Sequence, residues 1–247
     1  MIQASRCILG TVLVAVMATS ASAHNQYIDS FNKAKRYLER EVYTDYRKTI
    51  YCDADYDEKK NAMHPAGFIS EKYVKRSKRI EWEHVVPAEN FGRTFVEWRD
   101  GDKECVDSKG KSFKGRNCAK KVNTEFRYME SDLHNLFPAI GSVNALRSNY
   151  NFTVLPDAQP TFGSCDMRIS GRKAHPPEIA RGQIARAYLY MDSAYSRYNM
   201  SKSQKKLMVA WDKTYPVTDW ECTRTSRIVQ IQGNDNPFVS KHCMSEP

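Results

Sequence analysis

Several catalytic signatures are missing from these 247 residues. No HExxH occurs, which removes the zincin metalloproteases, and no GxSxG, which removes the usual secreted serine hydrolase. No two cysteines stand in a CxxC spacing, which argues against a cysteine-held zinc. The histidines, His24, His64, His84, His134, His175 and His242, form no close metal-ligand pattern either. There is no internal repeat, no long low-complexity run and no obvious linker, so one domain is expected. Acid is also scarce: 29 Asp and Glu face 38 Lys and Arg, a formal charge of +9.

What is present begins with an address. Arg6 is followed by the apolar stretch Cys7 to Ala18, too short to span a bilayer comfortably, and then by small residues at Ala21 and Ala23. That layout is a secretory signal peptide over residues 1–23, which sets the fold-forming part at 24–247 and the location as periplasmic or secreted. Without Arg6 the remaining chain has 37 basic and 29 acidic residues, a charge of +8. Such an excess in an exported protein favours an anionic partner: nucleic acid, an acidic envelope polymer or a membrane surface. Cys7 leaves with the signal, and the six cysteines that stay, an even number in an oxidising compartment, read as three disulfides with fifteen possible pairings.

Helical periodicity is strongest at the two ends. Ile28, Phe31, Ala34, Leu38 and Val42 recur at steps of three and four and predict an early helix. A second helix is expected from Pro177 through Ile184, Tyr188 and Met191 to Tyr195, with proline in its first turn. A third opens at Ser201, where Gln204 has capping-box spacing, and Pro216 stops it. The tryptophans Trp82, Trp98, Trp211 and Trp220 read as core. The middle differs: "IEWEHVVP" is β-rich, and "CVDSKGKSFKGRNC" is a Gly- and Lys-rich loop bounded by Cys105 and Cys118. A disulfide across it would remove unfolded-state entropy worth roughly 3 kcal/mol.

Chemistry concentrates in "RIEWEHVVPAENFGR", residues 79 to 93. A regular strand would send Glu83 and His84 to opposite faces, so a shared site calls for an irregular strand end. A solvated edge strand is the plainer alternative. A neutral imidazole can take a proton from water, and a carboxylate can hold a hard cation such as magnesium. Of the six histidines, only His84 and His134 sit among charged and apolar neighbours that suggest a built site.

A second stretch, "MESDLHNLFPAIGSVN", completes a recognisable order. "EWEHVVP", a cysteine-bounded loop ending "GRNC", "MESDLHNLFPAIGSVN", "GQIARAYLYM", "YPVTDWEC" and "QGNDNPF" together resemble the bacterial endonuclease I family, over most of the chain from the first helix to Cys243. The resemblance implies an α+β fold, a largely helical single domain around a ββα-metal nuclease core, stabilised by disulfides. It implies His84 as general base, Glu83 and Asn144 as the protein ligands of one magnesium ion, with manganese or calcium as substitutes, and 5′-phosphate products. Arg116 in "GRNC" is the nearest match to a phosphate-contacting arginine, although the family commonly has one more residue before the cysteine. Arg147, a further catalytic candidate, keeps its place in "VNALR", where many relatives read "VNGDR", so Ala145 and Leu146 replace a glycine and an acid. Glu130 and His134 are candidates for supporting the site. The implied pairings are Cys52 with Cys165, Cys105 with Cys118 and Cys222 with Cys243.

The implied partner is DNA, double- and single-stranded, together with RNA, gripped by phosphates. No helix-turn-helix or finger motif is present to read base edges, which points to cleavage without sequence preference. A monomer without stable membrane association is expected. Two other readings compete: a cationic protein that binds acidic envelope polymer without cleaving anything, and a different secreted hydrolase that happens to use His84.

Overall fold

The computed structural model describes residues 23–243. The signal expected over 1–23 therefore falls, except for Ala23, outside the described residues. In chain order the first elements are α1 (Phe31–Tyr37), β1 (Asp55–Tyr56), β2 (Ala62–Met63), α2 (Val74–Ser77) and β3 (Ile80–His84). Four short helices follow, α3 (Ala88–Gly92), α4 (Val96–Arg99), α5 (Arg116–Val122) and α6 (Thr124–Glu130). Then come β4 (Leu136–Ile140), α7 (Gly141–Arg147), β5 (Asn151–Phe152), β6 (Arg168–Ser170) and β7 (Lys173–His175). The chain closes with α8 (Glu178–Ala194), α9 (Lys202–Thr214), α10 (Asp219–Gln232) and α11 (Pro237–Cys243).

The β3–β4 ribbon lies between two cores. The strands pair antiparallel from Ile80 opposite Ile140 to His84 opposite Leu136. Strand alternation then divides the side chains. Ile80, Trp82 and Leu136 join a cluster with Ala34, Leu38 and Val42 of the N-terminal helix and Ile228 of α10. Phe137 and Ala139 face the larger cluster, which contains Phe126, Val143 and the buried stripe Ile184, Tyr188 and Met191 of α8. Four of the five residues of β3 are buried, so the solvated edge strand is ruled out. The pairing is also regular up to His84 itself, contrary to the irregular end that sequence reasoning required.

The helices follow their sequence signals with two instructive departures. The N-terminal helix starts three residues after Ile28, because the Asn25 side chain accepts from the Tyr27 and Ile28 amides and holds that segment in a turn. Its second half, Leu38–Val42, winds as a π-helix. Ser201 caps α9 by accepting from the Gln204 amide at 3.2 Å, but the Gln204 side chain does not return the bond. The complete capping box heads α10 instead, formed by Thr218 and Glu221. Arg186 of α8 ties this C-terminal bundle together, bonding Glu221 through Nε at 2.7 Å and Nη2 at 2.8 Å and Asp212 at 3.2 Å.

All three implied disulfides are present, Cys52–Cys165, Cys105–Cys118 and Cys222–Cys243. Trp82 and Trp211 are buried as expected, whereas Trp98 and Trp220 are only partly covered. Among the described residues no helix is long and apolar enough to cross a membrane.

Candidate active site

The two faces of β3 deliver different chemistry to one place. His84 lies on the Ile80 and Trp82 side, its ring 4.9 Å from Phe31 at the start of α1. Glu81 and Glu83 project from the other side toward α7, which begins where β4 ends. All five residues from Ile80 to His84 border an open cleft of 860 Å³, so side chains from both faces of the strand share it. Asn144 of α7 and Arg116 of α5 border it too, as do Lys35, Lys60, Lys75 and Arg79. The adjacency of Glu83 and His84 needs no distorted strand: the cleft reaches both faces.

His84 is held by one ring nitrogen. Nε2 lies 2.8 Å from the Glu130 carbonyl oxygen, and a carbonyl can only accept, so Nε2 carries the proton and Nδ1 keeps its lone pair. Burial, and then the positive charge of Arg116, lower the imidazole pKa to about 3, so the free protein holds it neutral. Glu130 touches both functional candidates, since its carboxylate also accepts from Arg116 Nε at 2.5 Å. Arg116 opens α5 two residues before the disulfide-bonded Cys118 and lies over the Phe31 ring at 5.5 Å. Its two Nη groups bond no other described residue, which leaves the fork of the guanidinium open toward the cleft.

Arg147, the second arginine carried over by the resemblance, lies away from the cleft. It is fully buried and does not border the cleft. Nη1 donates to Glu83 Oε1 at 2.8 Å and to the His84 carbonyl at 2.9 Å, and Nη2 to the Val85 carbonyl at 2.5 Å. The group thus fixes the backbone and the carboxylate at the strand end. Tyr51 donates to the same Glu83 oxygen at 2.8 Å. Burial raises the Glu83 pKa, opposed by Arg147 and Tyr51. His134 is likewise remote: it is buried, with Nε2 at 3.1 Å from the Asn234 carbonyl and its ring against Tyr190, and it borders no part of the cleft. Leu146, in the place of the relatives' acid, packs against the larger core.

No group of three or more His, Cys, Asp and Glu among the described residues could hold a metal ion. The available donors are one carboxylate oxygen and one amide oxygen. Glu83 receives both its hydrogen bonds on Oε1, and no described residue donates to Oε2. Asn144 donates through Nδ2 to Glu81 Oε2 at 2.8 Å, and no described residue donates to its Oδ1. A carboxylate and an amide oxygen on one cleft, with solvent for the remaining positions, are the donor set that suits magnesium.

Sequence reasoning missed Glu81, Arg76, Tyr51 and Phe31. Glu81 was legible in principle, since its spacing of two from Glu83 puts both carboxylates on one face of a strand. Phe31 carried the signal of a core helix residue, and only the fold shows it against His84. Trp98, also assigned to the core, forms part of the cleft wall; the missing Cβ of Gly92 gives its indole room.

A two-stranded ribbon that runs straight into a helix, with a histidine, a carboxylate and an asparagine around one cationic cleft, defines a ββα site. The sequence matches the Endonuclease I family over residues 19–243, and the chain belongs to that family. It is 40% identical over 238 residues to an extracellular deoxyribonuclease of Aeromonas hydrophila, covering 94% of this chain and 96% of the relative. A periplasmic deoxyribonuclease of the same organism is 38% identical, with 96% and 97% covered. Endonuclease-1 of Buchnera aphidicola subsp. Acyrthosiphon pisum (strain APS) is 37% identical, with 87% and 82% covered.

Proposed function

We propose that the protein is an exported, magnesium-dependent endonuclease that hydrolyses DNA without sequence preference, and RNA as well, leaving 5′ phosphates. The observation that carries this reading is the convergence of His84, Glu83, Asn144 and Arg116 on one cleft rimmed by lysines and arginines. Export agrees with three disulfides, which persist in oxidising compartments, and with relatives named extracellular and periplasmic.

Each residue has a defined task. His84 takes the proton of the attacking water on Nδ1, while the Glu130 carbonyl fixes the ring through Nε2. The low pKa of the free protein is set in part by Arg116. Burial is the larger cause, and an incoming phosphate that faces the guanidinium relieves only the part owed to Arg116. Arg116, anchored through Nε, offers its open Nη groups to phosphoryl oxygens, for which a guanidinium fork is better suited than an ammonium. Glu83 and Asn144 would hold the magnesium through Oε2 and Oδ1, and the bound ion supplies positive charge opposite the phosphate and the leaving 3′ oxygen. Arg147 and Tyr51 keep the Glu83 carboxylate in place.

Affinity resides in phosphates, because lysines and arginines line the cleft and such contacts carry no base information. Nothing in this donor set rejects a 2′ hydroxyl, which is the basis for including RNA. The test is nicking of supercoiled plasmid by the oxidised protein, wild type beside His84→Ala, with magnesium and with chelator. Cleavage that requires both the metal and His84 is the expected result. Retarded DNA mobility without any cleavage would favour the cationic binding protein, and cleavage surviving His84→Ala would move the base elsewhere.

A further inference from the structure

Asparagine presents a problem to a cation site, because its amide has an oxygen and a nitrogen of almost equal shape, and only the oxygen binds a cation. Rotation of the side-chain amide by half a turn would point the NH₂ group at the ion. The corner formed by α2, β3 and α7 contains a device that prevents this. Glu81 Oε2 accepts from Asn144 Nδ2 at 2.8 Å, and an ionised carboxylate can only accept, so the nitrogen is held on the Glu81 side and Oδ1 is left for the cleft. Glu81 is in turn fixed by Arg76, with Nε on Oε1 at 2.7 Å and Nη2 on Oε2 at 2.5 Å.

Close backbone packing brings these groups together. A Cβ at Gly141, the first residue of α7, would stand 2.5 Å from the Arg76 carbonyl and 2.9 Å from Glu81 Oε1. Only glycine lets α7 start against Arg76 and Glu81, and Asn144 follows one turn later. The ion pair itself contributes little to stability, because Arg76 and Glu81 side chains are 45% and 32% exposed and pairs of that kind are screened.

We propose that Glu81, clamped by Arg76, is a positioning residue that orients the Asn144 amide so that its oxygen faces the cation. The inference rests on the reading of Asn144 as a cation ligand. Its test is calorimetric titration of the oxidised, full-length protein with manganese, without nucleic acid, for wild type, Asn144→Ala, Glu81→Ala and Glu81→Gln. Glu81→Ala removes the acceptor and is expected to weaken manganese binding about tenfold, the scale for residues that orient ligands. Glu81→Gln keeps one acceptor oxygen but adds an NH₂ that can hold Asn144 by its oxygen instead, and is expected to weaken binding to a level between wild type and Asn144→Ala. Melting temperatures should hardly move.

Manganese binding in Glu81→Gln as tight as in wild type would show that the acceptor on Asn144 is not needed and would overturn the proposal. So would unchanged affinity in Glu81→Ala when Asn144→Ala binds weakly. Unchanged affinity in Asn144→Ala would remove the ligand reading of Asn144, and the orientation proposal with it.

Discussion

Two buried arginines sit on carboxylates in this molecule, and they leave their partners in different states. Arg186 bonds both oxygens of Glu221, and the Thr218 amide and hydroxyl add to Oε2. Arg147 and Tyr51 both bond Oε1 of Glu83, and Oε2 stays open on the cleft. The first carboxylate is saturated and joins helices. The second is rigidly held yet has an acceptor available, which is what a ligand requires. Burial of an ion pair therefore says little about its purpose, and the state of the second oxygen says more.

The largest effect should come from the reacting side of the comparison. His84→Ala is expected to lower plasmid cleavage by about 10²- to 10⁴-fold, the range of general base catalysis, while circular dichroism and melting temperature stay near wild type. Next come the two arginines. Arg186→Met and Arg147→Met each leave a buried carboxylate uncompensated and should cost about 3–5 kcal/mol in denaturant unfolding. They should part in activity: folded Arg186→Met keeps its cleavage rate, and folded Arg147→Met loses it. If both variants kept the rate, the distinction between the two pairs would be wrong.

Removing the Cys105–Cys118 bridge by Cys→Ser at both positions is a smaller perturbation, with a chain-entropy ceiling of roughly 3 kcal/mol. Because Arg116 opens the helix that carries Cys118, cleavage should fall more than stability predicts, measured as rate per folded molecule. Phe31→Leu is the mildest. It loses the ring that packs on His84 and Arg116 but keeps apolar bulk, and a decrease in rate of about threefold to tenfold is expected from misplaced groups.

Local signals were readable in the sequence where local physics decides them. Pro177 and Ser201 mark helix starts, the stripe of α8 gives its buried face, and the order of the motifs implied both the ββα unit and the disulfides. Long-range partnerships left no such mark. That Arg147 is buried beneath the strand end depends on where α7 lands against β3. That Phe31 meets His84 depends on α1 folding back over a strand about fifty residues away. The place of His134 was hidden for the same reason: its neighbours belong to a core polar network, with Asn234 a hundred residues on.

The most direct test of the account is the dependence of plasmid nicking on magnesium concentration, compared among wild type, Glu83→Gln and Glu221→Gln. A saturable dependence in wild type and in folded Glu221→Gln, with cleavage lost or shifted to far higher magnesium in Glu83→Gln, is the predicted result. A Glu83→Gln protein that matches wild type at every magnesium concentration would contradict it.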